Sequence, residues 1–290
     1  MFVSHLSLKD FRSYENLELS LKAGQNIFIG ENGEGKTNII EALMYLALLS
    51  SHRISSDQPL IKLDSERAYI RAKIESDERT TLVELEINNG KANRAKVNQN
   101  PVRSQKEILG LVKSVCFSPE DLDLVRGDPS ERRSFLDQLL IQQSPRLAGV
   151  ISDYERALKQ RNSLLKSRAP ESSLRSWSEH LATFGGELIA GRIKLINEIE
   201  PLFQIAYKNL SAKKLAKLGY KSSIPAPSSE KEVNKEVMLK VIEEVKSQEI
   251  ERGISLVGPH RDDLILNLGD HPVKGYASHG ESWSIALALR

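Results

Sequence analysis

The chain has 290 residues, 40% hydrophobic and 28% charged, with a formal net charge of +2; this suits one or two folded domains and excludes a mainly disordered chain. Cys116 is the single cysteine, which excludes an internal disulfide and matches usage in a reducing compartment. The opening residues have no basic region followed by an apolar run, and no stretch reaches about 18 consecutive apolar residues, so neither a signal peptide nor a membrane span is expected.

In chain order, Leu17, Leu19 and Leu21 alternate with Glu18 and Ser20, the period-2 pattern of a half-buried strand. The apolar run Ile27-Phe28-Ile29 is expected to be a strand buried on both faces, ending at Gly30. Residues 36–48 are rich in helix formers and apolar enough for a buried helix. Two alternating sets follow, Ile70, Ala72 and Ile74, then Val83, Leu85 and Ile87; with the turn signal Asn88-Asn89-Gly90 they predict an antiparallel meander.

After about residue 118 the texture changes. Pro129 and Ser130 open a helical stretch through Leu140. Residues 147–168 and 174–199 predict two long amphipathic helices paired as an antiparallel hairpin. Residues 222–229 (Ser-Ser-Ile-Pro-Ala-Pro-Ser-Ser) resemble a linker, and a charged helix is expected over about 230–247. Ile254-Ser255-Leu256-Val257 and residues 264–268 have strand character, and a helix opens near Glu281. The order strands, helices, strands predicts an α/β core interrupted by a helical insertion.

The strongest chemical signal is the stretch Gly30, Glu31, Asn32, Gly33, Glu34, Gly35, Lys36 and Thr37. A phosphate loop needs glycines so that the backbone can curl and aim several N–H groups at one anion. Lys36 is placed to reach the β- and γ-phosphates of ATP, and the Thr37 hydroxyl to hold Mg²⁺. The following helix adds its N-terminal dipole. Asn38 and Glu41-Ala42 then continue the stretch as in the SMC-like branch of ABC-type ATPases, which it resembles.

A second stretch, Ser278, His279, Gly280 and Glu281, opens a helix about 240 residues later and resembles the ABC signature, with His279 in place of the usual first glycine. In that family the signature contacts the γ-phosphate of ATP held by the other subunit. Ser278 offers a hydroxyl there, and Gly280 permits close backbone approach; the plain alternative is an ordinary capped helix start.

The chain as a whole resembles the bacterial RecF family of recombination mediators. The matching pieces are Leu8-Lys9-Asp10-Phe11-Arg12-Ser13-Tyr14, residues 30–43, Phe117-Ser118-Pro119-Glu120-Asp121-Leu122, Gly127-Asp128-Pro129 through Arg132-Arg133-Ser134-Phe135-Leu136-Asp137, Gly258-Pro259-His260-Arg261-Asp262-Asp263 and Tyr276-Ala277-Ser278. The resemblance implies a P-loop NTPase head of the ABC/SMC type with an inserted helical arm. The head would comprise residues 1–117 and the return strands 251–290, and the arm 118–250. It further implies a cytoplasmic, ATP-binding factor of DNA replication, gap repair and the SOS response. That factor binds single-stranded and junction DNA, forms a homodimer on ATP, and works with RecR and RecO.

ABC-type ATPases also need four apolar residues followed by Asp-Glu, and a switch histidine. Neither pattern stands in these 290 residues: Asp262-Asp263 follows His260-Arg261 instead of an apolar run. The sequence is expected to be cut short inside the signature helix, and its product to bind ATP without hydrolysing it at a useful rate.

Further candidates are weaker. Arg53 can reach adenine or phosphate. Arg132 and Arg133 can meet DNA, and so can the basic stretch containing Lys213, Lys214 and Lys217, although solvated charge is the ordinary state of such residues. His260 and Arg261 can line a nucleotide interface. The competing functions are a P-loop kinase of a small molecule, working as a monomer, and a non-catalytic nucleotide-binding scaffold that holds DNA regardless of ATP.

Overall fold

The structure is a computed structural model describing residues 1–51, 53–54, 56–77, 79–211 and 214–290. It contains two compact units, Met1–Cys116 and Phe117–Arg290.

In the N-terminal unit the alternating segments become one antiparallel sheet. Its strands are β1 (Phe2–Phe11), β2 (Tyr14–Ser20), β3 (Arg67–Ser76), β4 (Arg79–Asn88), β5 (Arg94–Val97) and β6 (Asn100–Pro101), in the order β2-β1-β3-β4-β5-β6. Register aligns the apolar positions across the sheet: Leu6 faces Leu19 and Ala72, Ala72 faces Val83, and Ile70 faces Leu8 and Leu85. Helix α1 (Lys36–Leu48) joins Ile39, Ala42, Tyr45 and Leu46 to that core. Each leucine, isoleucine or valine buried here contributes about 1.5–3 kcal/mol. Period 2 turns the intervening side chains to the other face, where Arg71 stands opposite Glu84 and Glu84 opposite Lys96, and Glu86 opposite Arg94.

The run Ile27-Phe28-Ile29 does not form the expected buried strand. Among the described residues no strand pairs with it, and Ile27 and Ile29 are 71% and 91% exposed. An apolar run becomes a strand only when a neighbour completes its ladder of N–H and C=O groups. None does so here.

The C-terminal unit contains α2 (Leu122–Arg126), α3 (Pro129–Gln143), α4 (Leu147–Lys166), α5 (Glu171–Leu210), α6 (Lys231–Glu244), α7 (Lys246–Arg252) and α8 (His279–Leu289). A small antiparallel sheet runs β7 (Ala216–Lys221), β8 (Asp263–Leu268), β9 (His271–Pro272). The helical hairpin is formed by α4 and α5, but α5 runs 40 residues, straight through Pro201. The expected charged helix is two, α6 and α7, and residues 254–257 form no strand.

Residues 222–229 are no free linker either. Ile224 is buried, and Asp262 receives the Ser223 N–H (2.7 Å) and the Tyr220 hydroxyl (2.6 Å).

Three buried arginines tie this unit together. Arg161 donates to Glu249 (2.6 Å), Ser178 (2.9 Å) and Ser255 (2.8 Å). Arg192 grips Asp137 with two nitrogens and the Pro259 carbonyl with a third. Arg132 makes a two-nitrogen pair with Asp263 (2.8 and 3.0 Å). Such forks fix orientation as well as charge. Among the described residues no helix is long and apolar enough to cross a membrane.

Candidate functional site

The phosphate loop forms the turn from Gly30 into α1. Gly33 and Gly35 have φ of +91° and +90°, a region L side chains rarely adopt, so both positions call for glycine. Space is a second reason at Gly35: an added Cβ would stand 2.7 Å from Ser13 Oγ and 2.9 Å from Tyr14 Oη. Lys36 Nζ folds back onto the loop, donating to the carbonyls of Gly30 (2.8 Å) and Glu31. The Glu31 N–H donates to the Glu34 carboxylate (2.8 Å), so the loop engages an anion of its own. No side chain caps α1, which leaves its first N–H groups to whatever the loop holds. Thr37 stands in the first turn of this helix.

Around the loop lies a polar network that the sequence hinted at without assigning. Arg12 and Ser13 are the two-residue turn between β1 and β2, and Arg12 sits at φ +53°. A non-glycine residue in that region costs free energy and persists where the surroundings over-determine it. Here they do: Arg12 donates to Glu41 with two nitrogens (2.9 and 2.5 Å). Glu41, fully buried in α1, also receives Arg53 (3.0 Å) and the Ser51 hydroxyl (2.6 Å). Burial pushes the Glu41 carboxyl upward, but the bonds from Arg12 and Ser51 and the charges of Arg12 and Arg53 outweigh it and hold the group below its ordinary range.

Asn38 bridges the network. It donates to Ser13 Oγ (3.0 Å) and accepts from Arg53 (3.1 Å). Arg53 is thus held over the first turns of α1, beside the loop. Arg12, Ser13 and Asn38 face an open cleft of 660 Å³. The role of Glu41 was hidden because its partners stand 29 and 12 residues away. The signal that could have found it was a lone acid on an otherwise apolar helix face.

The second half-site opens α8. Ser278 is its N-cap and forms a full capping box with Glu281: Ser278 Oγ accepts from the Glu281 N–H (3.2 Å), and the Glu281 carboxylate accepts from the Ser278 N–H (2.8 Å). Lys214 Nζ donates to the same carboxylate (2.8 Å). The Lys214 bond and then the Ser278 bonds hold the Glu281 carboxyl down to about 2. Gly280 is exposed with open space around it, and His279 accepts from Trp283 Nε1 (2.9 Å). Further along α8, Ser282 receives Arg126 (3.2 Å), and Arg290 pairs with Asp121 (2.6 Å).

The expected DNA-contact residues fare unequally. Arg132 is buried and spent on Asp263, so it offers no free cation at the surface; an acid 131 positions away claimed it. Arg133 is half-buried and donates to the Asp262 carbonyl (3.0 Å). Lys214 is bound to Glu281, Lys217 is exposed on β7, and Lys213 lies outside the described residues. His260 is half-buried and meets the Tyr154 hydroxyl (2.6 Å), while Arg261 is exposed and donates to the Ser255 carbonyl (2.9 Å).

A phosphate-binding turn leading into an uncapped helix, with a serine-capped helix in the second unit, is the outfit of a P-loop ATPase. A family model described as an AAA domain matches residues 5–254. The chain is similar to the DNA replication and repair protein RecF of Streptomyces avermitilis, 52% identical over all of this chain and 81% of the relative. The counterpart from Kineococcus radiotolerans is 49% identical over all of this chain and 79% of its own length. Two solved structures of the recombination mediator protein RecF in the RecFOR pathway, one of them RecF-ATP, superpose with a TM-score of 0.93 at 26% identity, covering 99% of this chain and 79% of theirs. An Smc head domain from Pyrococcus furiosus shares the fold alone, with a TM-score of 0.51 at 16% identity over 99% of this chain and 77% of that one. This chain belongs to the RecF family. Its fold is the α/β P-loop ATPase of ABC/SMC type with a long helical insertion.

Proposed function

We propose that this chain is an ATP-switched, DNA-binding recombination mediator of replication and repair. The observation that carries the reading is the phosphate loop at residues 30–37, with Lys36 folded over it and Arg12 and Arg53 held beside it by buried Glu41. ATP is to lie along the loop and the first turn of α1. The Thr37 hydroxyl is the ligand for Mg²⁺, which supplies positive charge to the phosphates when bound. Ser278, His279, Gly280 and Glu281 are to meet the nucleotide of a second copy, so that ATP closes a homodimer. The capping box leaves this possible, because Ser278 remains exposed while it caps α8.

Single-stranded and junction DNA, RecR and RecO as partners, a place in the SOS response and a cytoplasmic location complete the reading. Residues 251–290 are to serve the head, and 118–250 the arm. The relatives' role in DNA replication and repair and the RecFOR description of the solved structures support the place in a recombination pathway from which these proposals are drawn.

Equilibrium binding of a fluorescent ATP analogue, followed by sedimentation velocity with and without ATP, tests the reading. Lys36→Ala is expected to weaken nucleotide binding by about tenfold to a hundredfold, the worth of a charge-assisted bond. Ser278→Arg is expected to leave binding intact and abolish the ATP-dependent dimer. A chain that stays monomeric with ATP and phosphorylates a small molecule is a kinase instead. DNA affinity indifferent to ATP makes it a scaffold.

A further inference from the structure

The outer face of the N-terminal sheet carries charge that neither half-site uses. The alternation that buries Ala68, Ile70 and Ala72 turns Tyr69 and Arg71 outward. Register extends them into two rows. Arg71 faces Glu84, which faces Lys96; Tyr69 faces Glu86, which faces Arg94. With Lys91 from the turn and Arg103 after β6, these residues line an open cleft of 670 Å³.

Five cationic side chains stand here against two carboxylates, in a chain whose net charge is only +2. Both carboxylates are already engaged, Glu84 by Arg71 (3.0 Å) and Glu86 by Arg67 (3.5 Å). Lys91, Arg94, Lys96 and Arg103 are exposed and make no ion pair among the described residues. Gln105, in the same lining, has a buried Oε1 with no hydrogen-bond partner. That acceptor suits an amino or hydroxyl donor brought by a ligand. The Arg71 guanidinium lies 5.3 Å from the Tyr69 ring centroid and offers a planar cation for stacking.

We propose that this cleft binds the phosphodiester backbone of DNA, with Arg94, Lys96 and Arg103 on phosphates and Gln105 on a base or sugar donor. Arg94 and Lys96 are two residues apart on one strand, about 7 Å, so the cations form a track along the cleft. A cationic groove with a planar group for stacking is how proteins hold a strand without reading its sequence. The inference rests on the DNA-binding part of the proposed function. It assigns the contact to the N-terminal unit in place of Arg132 and Lys214, which are paired with Asp263 and Glu281, and of Arg133, which is bonded to the Asp262 carbonyl.

The test is fluorescence anisotropy of the full chain with ATP, using a labelled single strand and a duplex of the same sequence over a range of salt. Neutralising Lys96→Gln with Arg103→Gln is expected to flatten log affinity against log salt by about 1.4 on the single strand or about 1.8 on the duplex. Lys96→Arg with Arg103→Lys, which keeps both charges, is expected to restore the slope. Glu84→Gln is expected to tighten binding about two- to fivefold, by removing a carboxylate between Arg71 and Lys96. A loss confined to one oligonucleotide assigns the cleft to unpaired or to duplex DNA. If the wild type binds DNA and the neutralised pair keeps its slope, the cleft is not the site and the DNA reading survives. Absence of DNA binding in the wild type overturns both. An acidic peptide that binds the wild type but not the neutralised pair, with DNA binding unchanged, gives the cleft to a protein partner and overturns the proposal.

Discussion

In the N-terminal unit the buried charge is a carboxylate, and its partners reach in from the surface: Glu41 gathers Arg12, Arg53 and Ser51 beside the phosphate loop. In the C-terminal unit the buried charges include arginines, and they draw acids from distant segments: Arg161 takes Glu249, Arg192 takes Asp137, Arg132 takes Asp263. The first arrangement leaves cations at the edge of a cleft, where a nucleotide can use them. The second uses its cations up. Buried ion pairs thus serve two ends in one chain, presentation of charge in one unit and registration of helices against strands in the other.

The sharpest way to break the contrast is at Arg161. Arg161→Ala strands Glu249 in the interior and is expected to cost about 3–5 kcal/mol, whereas replacing both partners by apolar residues of similar volume is expected to cost far less. Denaturant unfolding followed by tryptophan fluorescence reads this unit alone, because Trp177 and Trp283 both lie in it. Acid is the next lever. Burial, then the charges of Arg261, Arg133 and Arg161, push His260 from 6.5 down to about 4, against a hydrogen bond to Ser255 that raises it. The folded chain therefore binds fewer protons than the unfolded one between those values. Stability is full above about pH 6.5 and falls toward pH 4, by about 3 kcal/mol. The same fluorescence titration repeated across pH checks this, and His260→Gln is expected to flatten the curve.

In the N-terminal unit the effects should be smaller. Glu41→Gln keeps the shape but removes the charge that moors two arginines, and is expected to cost about 1–3 kcal/mol. Hydrogen exchange of α1 and weaker ATP binding are the readouts. Least of all should follow Ile29→Ser, because that side chain stands in solvent; a change within about 0.5 kcal/mol is expected in thermal unfolding. A large loss would restore the buried strand that the sequence suggested.

That strand marks where sequence reading stops. Local patterns were legible: alternation placed β3 and β4, glycine spacing placed the loop, and helix formers placed α1. Each depends on residues within a few positions of one another. Three of the failures turn on distant partners. Ile27-Phe28-Ile29 is apolar enough for a core strand, but periodicity does not say what pairs with it. Arg132 looks like any helix-surface charge until Asp263 is brought beside it. Ser222 and Ser223 look like linker residues until Asp262 collects them. At the candidate site the loop was plain, while the network of Arg12, Glu41 and Arg53 needed the fold to assemble it.

Helix α5 has a mechanical side as well. At 40 residues it is a beam about 60 Å long. Pro201 has no N–H to give the Asn197 carbonyl, so compliance concentrates in one turn near the far end. Beyond that notch lie exposed Leu202 and Ile205 and the lysine at position 208. Phe203 and Tyr207 on the same last quarter are buried in the core, so packing holds this end of the beam as Arg192, gripping Asp137 and Pro259, holds its middle.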